Sequence, residues 1–231
     1  RTMAARGTFR RLDMAKIPNA KNVAARFRNP GYDPEGKWSL PYQWGTMGIV
    51  YRADKLPGFT PRWSALFDPA LQAGPVVLLD SMRDLMAAAL IAKGFSPNTR
   101  SPDELKQAGD VLAAARSKRM IGFFGSPDSV GKVLAGDAWM AIAYNGDAVS
   151  RLEEGTDFAV PGEGTIIWVD AMTIPAKAPN VEGAYRFINF ILDGQVGAQL
   201  SNYLSYATPN EASLPLIDEE VRADPRVYPT D

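Results

Sequence analysis

The chain has 231 residues with no cysteine, no histidine and 25 basic against 26 acidic side chains, a formal net charge of −1. That composition excludes a thiol nucleophile, a Ser-His-Asp triad, a zinc site of the usual Cys/His type and any disulfide, and the scattered Lys and Arg residues leave no footprint for nucleic acid. The length suits one large domain or two small ones with an ample core, and no apolar run approaches the ~20 residues needed to span a bilayer.

The opening Arg1-Thr-Met-Ala-Ala-Arg6 is too short and polar for a secretory signal. Because the first residue is not Met, the chain reads as a processed or cut product, so location stays open. A chain without cysteine fits the cytosol and equally a periplasmic domain large enough to need no cross-links. A helical stub is expected near 1–7, then an irregular connector to about residue 40 that carries Pro18, Pro30, Gly31, Pro34 and Gly36. Tyr42-Gln-Trp-Gly-Thr-Met-Gly-Ile-Val-Tyr51 takes strand character from Ile49, Val50 and Tyr51. Pro57 to Pro61 form a loop, and Trp63–Phe67 reads as one or two helical turns. The run Pro75-Val-Val-Leu-Leu-Asp80 has the pattern of a parallel strand covered on both faces. It feeds a helix over 82–94, with Met82, Leu85, Met86, Ala89 and Leu90 at three- and four-residue spacing.

Ser101-Pro-Asp-Glu104 matches a capping box with Pro at the first helical position, and Leu105, Ala108, Leu112 and Ala115 share one face of its helix. Strands at Met120–Phe124 and Ala138–Tyr144 flank a short helix near 127–134. Beyond Asn145-Gly146 a helix is predicted from Asp147 to about Glu153, then strands near 157–160 and 165–175. Asn180 caps an amphipathic helix with Ala184, Phe187, Ile188 and Ile191 on its apolar stripe, and a further helix covers about 194–204. Strands alternating with helices predict an α/β fold with a mainly parallel sheet. There is no internal repeat, low-complexity tract or heptad array.

In Thr165-Ile-Ile-Trp-Val-Asp170, strand alternation sends Trp168 and Asp170 to one side and Val169 into a core. A ring face beside a carboxylate suits an organic cation, through cation–π attraction and charge-assisted hydrogen bonds. Tyr144-Asn-Gly-Asp147 repeats the combination where a strand gives way to a helix, the end of an α/β sheet at which ligands gather. Asp80, Ser81 and Asp84 stand at another such boundary. Each has a plainer explanation alone: Asp147 as a helix cap with Tyr144 a rim aromatic, Asp84 as complement to a helix dipole, Trp168 as core. Three strand ends with the same chemistry jointly favour a cation pocket. Two carboxylates beside aromatics would also suit a glycosidase acid/base pair or a sugar cleft. Gly162-Glu-Gly164 is no phosphate-cradling loop, and nothing in the chain calls for a cofactor or a metal.

Pro41-Tyr-Gln-Trp-Gly-Thr-Met-Gly-Ile-Val-Tyr51, Trp63-Ser-Ala-Leu-Phe67, Trp168-Val-Asp170 with Ile174-Pro175, Tyr206-Ala-Thr-Pro-Asn210 and the late Val227-Tyr-Pro229 follow one another in the order of a known family. Over nearly its whole length the chain resembles the spermidine/putrescine-binding proteins of bacterial ABC importers. The resemblance implies a two-lobed periplasmic-binding-protein fold of type II that closes on its ligand by a hinge. Crossings between lobes are expected near Thr46–Met47, Trp168–Val169 and Ala212–Ser213, which assigns 1–47 and 169–212 to a first lobe and 48–168 with 213–231 to a second. The signal, the leading third of such proteins and their final helical segment have no counterpart here, so the first lobe is expected to be incomplete, with an exposed apolar sheet edge.

Position by position, Trp168 resembles the family's ligand-stacking aromatic and Asp170 its amine-binding carboxylate. Tyr144 stands where the family often has Trp, Asp147 matches a carboxylate of the putrescine-binding branch, and Asp84 matches an acidic position that is commonly Glu. Ser81 falls where the spermidine-binding branch has an acid, and Tyr206 resembles a residue at the hinge side of the cleft. The implied protein is no enzyme. It is an extracytoplasmic receptor, periplasmic or anchored outside the membrane, that passes a polyamine to a permease driven by its ATPase. Other readings are a receptor for γ-aminobutyrate or a quaternary amine, where Arg83 beside Asp84 would face a ligand carboxylate, and a carbohydrate-active enzyme.

Overall fold

The apolar run after Pro75 is buried at every position from Val76 to Leu79, as a strand covered on both faces requires. It belongs to a computed structural model that describes residues 2–229. In chain order the elements are α1 (Thr2–Ala5), three 3-10 turns (Met14–Lys16, Pro18–Asn22 and Ala25–Phe27), β1 (Leu40–Arg52), α2 (Ser64–Phe67), β2 (Val76–Leu79), α3 (Met82–Ala92), α4 (Pro102–Ala114) and β3 (Met120–Phe124). There follow α5 (Ser126–Leu134), β4 (Met140–Tyr144), α6 (Asn145–Val149), β5 (Thr156–Ala159), β6 (Ile167–Met172), α7 (Val181–Ile191), α8 (Gly194–Leu204), a 3-10 turn at Leu214–Leu216 and α9 (Glu219–Arg222).

The strands run in the order β3-β2-β4-β1-β5, with β6 paired to β1. Strand β2 is parallel to β3 and β4, but β1 is antiparallel to both β4 and β5, so the sheet is mixed rather than mainly parallel. β4 and β5 therefore point the same way, and β1 fills the slot between them in the opposite sense. Period-two alternation then sorts the core. Met47, Ile49, Leu78, Met140 and Ile142 face one layer with Trp63, Leu66 and helix α3, whereas Val50, Val77, Ala141 and Phe158 face another with Val130 and Val133 of α5. Gly48 is required at this junction, since a Cβ there would sit 2.4 Å from the Phe158 ring and 2.6 Å from the Ala159 carbonyl oxygen.

The chain divides into two compact units. Unit 1 holds the residues up to Gly45 together with Trp168–Asp224, and unit 2 holds Thr46–Ile167 with Pro225–Pro229. Among the described residues the chain thus crosses three times, at Gly45–Thr46, Ile167–Trp168 and Asp224–Pro225. Residues 213–224, expected in the second lobe, cluster with unit 1 instead. The turn Leu214–Leu216 packs on α8, and the Asp218 N–H donates to the Asn202 side chain at 3.1 Å.

Unit 1 has its own core of Leu12, Ile17, Val23, Leu40, Ile174, Tyr185, Ile188 and Leu192. The irregular early segment is pinned by bridges from Phe9 to Pro175, Val23 to Asn210 and Trp44 to Ala207. Asp33 organises its turn: the buried carboxylate accepts N–H donors from Lys37, Trp38 and Ser39 at 2.8–3.0 Å and the Ser39 hydroxyl at 3.0 Å. Burial alone would raise the Asp33 pKa, but these four donors outweigh it and hold the carboxyl below its usual range. Its stabilisation is present above the ordinary carboxylate pKa and is lost as pH falls through the lowered value. Asp33→Ala is expected to cost about 2–4 kcal/mol at pH 7 in urea denaturation. That penalty should shrink on acidification.

Two capping expectations hold. Ser101 Oγ accepts the Glu104 N–H, and Asn180 Oδ1 accepts the Gly183 N–H. The apolar stripe of α7 differs from the reading of its sequence, because Tyr185 is buried and Phe187 is 58% exposed. Tyr185 takes the inward slot because its hydroxyl finds the Asp13 N–H at 3.0 Å, which offsets the cost of burying it. Leu105 of α4 also lies outside the core. Helix α6 stops at Val149, where the Ser150 hydroxyl turns back to donate to the Gly146 carbonyl at 2.7 Å.

Candidate functional site

In unit 2, two strand-to-helix junctions, β2–α3 and β4–α6, place Ser81, Asp84, Tyr144 and Asp147. The Asp80 N–H donates to the Phe124 carbonyl at 2.8 Å and fixes the chain as it leaves β2. Ser81 follows in an extended conformation, and its hydroxyl caps no backbone group but donates to Asp84 Oδ2 at 2.8 Å. At the end of β4 the Tyr144 N–H is held by Ser126 Oγ at 2.8 Å, and the Tyr144 hydroxyl donates to the same Asp84 Oδ2 at 2.5 Å. One carboxylate oxygen thus receives two hydroxyl donors. Among the described residues Asp84 forms no ion pair.

Burial first, and then the Asp84 hydrogen bond and charge, push the Tyr144 phenol well above its usual range, and the nearby Asp147 charge adds to the effect. Asp147 is half-buried in the first turn of α6, whose N-cap is Tyr144, so Asp147 is not the cap. Two carboxylates and a phenol therefore meet at the ends of β2 and β4. Arg83 lies on the exposed face of α3.

In unit 1, β6 carries Trp168 and Asp170. The Trp168 ring meets the Tyr206 ring edge to face, with centroids 5.0 Å apart and planes at 78°. Tyr206 is aimed there by the end of α8: Ser205 adopts the left-handed conformation, the Ser201 hydroxyl donates to the Tyr206 carbonyl, and Ala207 exchanges backbone hydrogen bonds with Trp44 at 3.0 and 3.1 Å. Val169 is half-buried rather than a core residue, and Ile167 is exposed. Although solvent reaches Asp170, the atoms packed round it desolvate the carboxylate and raise its pKa.

Tyr42, half-buried on β1, feels the Asp170 charge. Burial and then that charge raise its phenol pKa. Tyr42 is not among the residues expected at the site, because its position beside Asp170 depends on the pairing of β6 with β1. Each unit thus has a carboxylate near an aromatic ring, Asp84 with Tyr144 in unit 2 and Asp170 with Tyr42 in unit 1, a pairing whose chemistry suits an organic cation. No group of three or more acidic side chains among the described residues is arranged to hold a metal ion.

The family described as bacterial extracellular solute-binding protein matches residues 1–230. The chain belongs to this family. It is 32% identical over 245 residues to the putrescine-binding periplasmic protein SpuD of Pseudomonas aeruginosa, covering 97% of this chain and 66% of that protein. It is also 32% identical over 230 residues to the spermidine/putrescine-binding periplasmic protein of Escherichia coli, covering 98% of this chain and 65% of that one. The solved structure of PotD, a spermidine/putrescine ABC transporter substrate-binding protein of Streptococcus pneumoniae, superposes with a TM-score of 0.83 at 29% identity, over 99% of this chain and 70% of that chain. The chain of this solute-binding protein spans about two-thirds of the length of the curated relatives it matches. The chain has the two-lobed periplasmic-binding-protein fold of these neighbours.

Proposed function

We propose that this solute-binding protein captures a polyamine, putrescine or spermidine, outside the cytoplasm and delivers it to an ABC permease. The observation that carries this reading is Asp84, held by the Ser81 and Tyr144 hydroxyls with the Asp147 charge near Tyr144, matched in unit 1 by Asp170 near Tyr42 and on the same strand as Trp168, whose ring packs against Tyr206. Both groups offer negative charge and ring faces. The exposed Arg83 is a poor anchor for the carboxylate of a zwitterion such as γ-aminobutyrate.

Binding needs no bond to form or break. Each ammonium gains ~0.5–2 kcal/mol from a ring face and ~1.5–3 kcal/mol from each charge-assisted hydrogen bond. Several such contacts offset the ~4–15 kcal/mol cost of association, and the surplus sets the affinity. The names of the relatives support the same ligand class, a periplasmic location and a place in an ABC transporter, with a permease and its ATPase as the proposed partners. Seven residues contribute to binding in this reading: Ser81, Asp84, Tyr144, Asp147, Trp168, Asp170 and Tyr206.

Calorimetry against putrescine, spermidine, γ-aminobutyrate and betaine tests the proposal. The expected result is saturable binding of a polyamine and weak or no heat with the other two; tight betaine or γ-aminobutyrate binding without polyamine binding would overturn it. Tyr144→Phe keeps the ring and removes the donor that orients Asp84. Its putrescine affinity is expected to fall about five- to tenfold, the equivalent of ~1–1.4 kcal/mol for one hydrogen bond. An unchanged dissociation constant would show that Asp84 needs no such support.

A further inference from the structure

We infer that Asn145 is a positioning residue that anchors two of the three chain crossings to unit 2 and ties them to the end of β4 that presents Tyr144. The Asn145 side chain is fully buried. Its Oδ1 accepts the Thr46 N–H at 3.0 Å, and its Nδ2 donates to the Arg226 carbonyl at 3.0 Å. Thr46 is the first residue of unit 2 after the crossing at Gly45–Thr46, and Arg226 follows directly on the Asp224–Pro225 crossing. One planar amide thus joins an N–H at one crossing to a carbonyl at another. A carboxylate of the same shape would keep the acceptor and lose the donor, and alanine would lose both.

Neighbouring contacts reinforce the anchor. Arg226 Nη1 pairs with Asp157 Oδ1 at 3.0 Å, and the Tyr51 hydroxyl lies 3.4 Å from Asp157 Oδ2. Close to the remaining crossing, Ile167–Trp168, the Thr165 hydroxyl donates to the Met47 carbonyl at 2.6 Å, one residue beyond Thr46. The unit 2 ends of all three crossings are therefore fastened to β1, β4 and β5. Movement between the units is confined to the unit 1 side of Thr46 and Arg226, and Tyr144, covalently joined to Asn145, moves with the fastened ends. Only this last link rests on Tyr144 being a ligand contact.

The test uses the full chain without ligand. Hydrogen exchange at the Thr46 amide should be at least tenfold faster in Asn145→Ala and close to wild type in Asn145→Asp, which retains the acceptor. Spin labels placed one in each unit should give a broader distance distribution in both variants than in wild type, because each loses the Arg226 tether. Val133→Ala, a buried change in α5 that removes neither hydrogen bond of Asn145, controls for lost stability and should leave the distribution unchanged. Should Asn145→Ala fail to fold, the near-isosteric Asn145→Asp still decides the distance measurement. Wild-type exchange at Thr46 in the alanine variant, or distributions no broader than that of Val133→Ala, would overturn the inference. Failure of wild-type protein to bind putrescine would remove the functional proposal while these ligand-free measurements still decided the role of Asn145.

Discussion

Asp170→Asn is expected to weaken putrescine binding at least a hundredfold while raising the melting temperature of the ligand-free protein at pH 7. Both effects have one source. Desolvation raises the Asp170 pKa in the folded protein, so the folded state holds that proton more tightly than the unfolded chain does. The contribution of the group to stability is fully favourable below the ordinary carboxylate pKa and is lost as pH rises through the raised one. At pH 7 the ionised carboxylate is a burden that an ammonium relieves. Asparagine removes the burden and the attraction together.

Solvent screening keeps the stability gain small, on the order of 1 °C, and it should disappear near pH 3, where both states carry the proton. Putrescine affinity of the wild-type protein should likewise fall as pH drops through the raised Asp170 value. Thermal melts at the two pH values, paired with calorimetry, check both arms. A melting temperature that falls at pH 7, or an affinity that is unchanged, would remove Asp170 from the site.

Trp168→Ala is expected to cost about 30- to 100-fold in putrescine affinity, or ~2–2.7 kcal/mol, because it removes the cation–π face and also the ring against which Tyr206 packs at 5.0 Å. Trp168→Phe keeps a face of similar character and should recover affinity to within about fivefold of wild type. The ring is only half-buried, so the alanine variant should stay folded. Calorimetry of the pair separates a stacking role from simple space filling: an aliphatic Trp168→Leu that binds as well as Trp168→Phe would argue against cation–π recognition.

Local signals made much of the fold legible. Val76–Leu79 announced a doubly covered strand by having no polar alternate, and Ser101 and Asn180 announced helix starts because their side chains meet N–H groups three residues on. What escaped reading was non-local. The antiparallel course of β1 between β4 and β5 follows from where the chain re-enters a sheet, which no window of sequence records. Phe187 fitted the helical period of α7, yet Tyr185 took the buried slot because Asp13, far away in sequence, offers its hydroxyl a partner.

The candidate site divides the same way. Strand alternation singled out Trp168 and Asp170 but misplaced Val169, which is half-buried like Trp168; the pairing of Tyr144 with Asp84 spans 60 residues and the approach of Tyr42 to Asp170 spans a strand pairing. Helix-capping logic offered a sufficient account of Asp84 and Asp147 from sequence. In the structure Asp84 is engaged by two hydroxyls and α6 is capped at Tyr144.

The central claim of the proposal is that Asp84 and Asp170 are both needed for amine binding. Calorimetric titration of putrescine into wild type, Asp84→Asn, Asp170→Asn and the double variant tests it most directly. The account predicts one saturable site per chain in the wild type, a large loss of affinity in each single variant and no measurable binding in the double. Wild-type affinity retained in either single variant would contradict it.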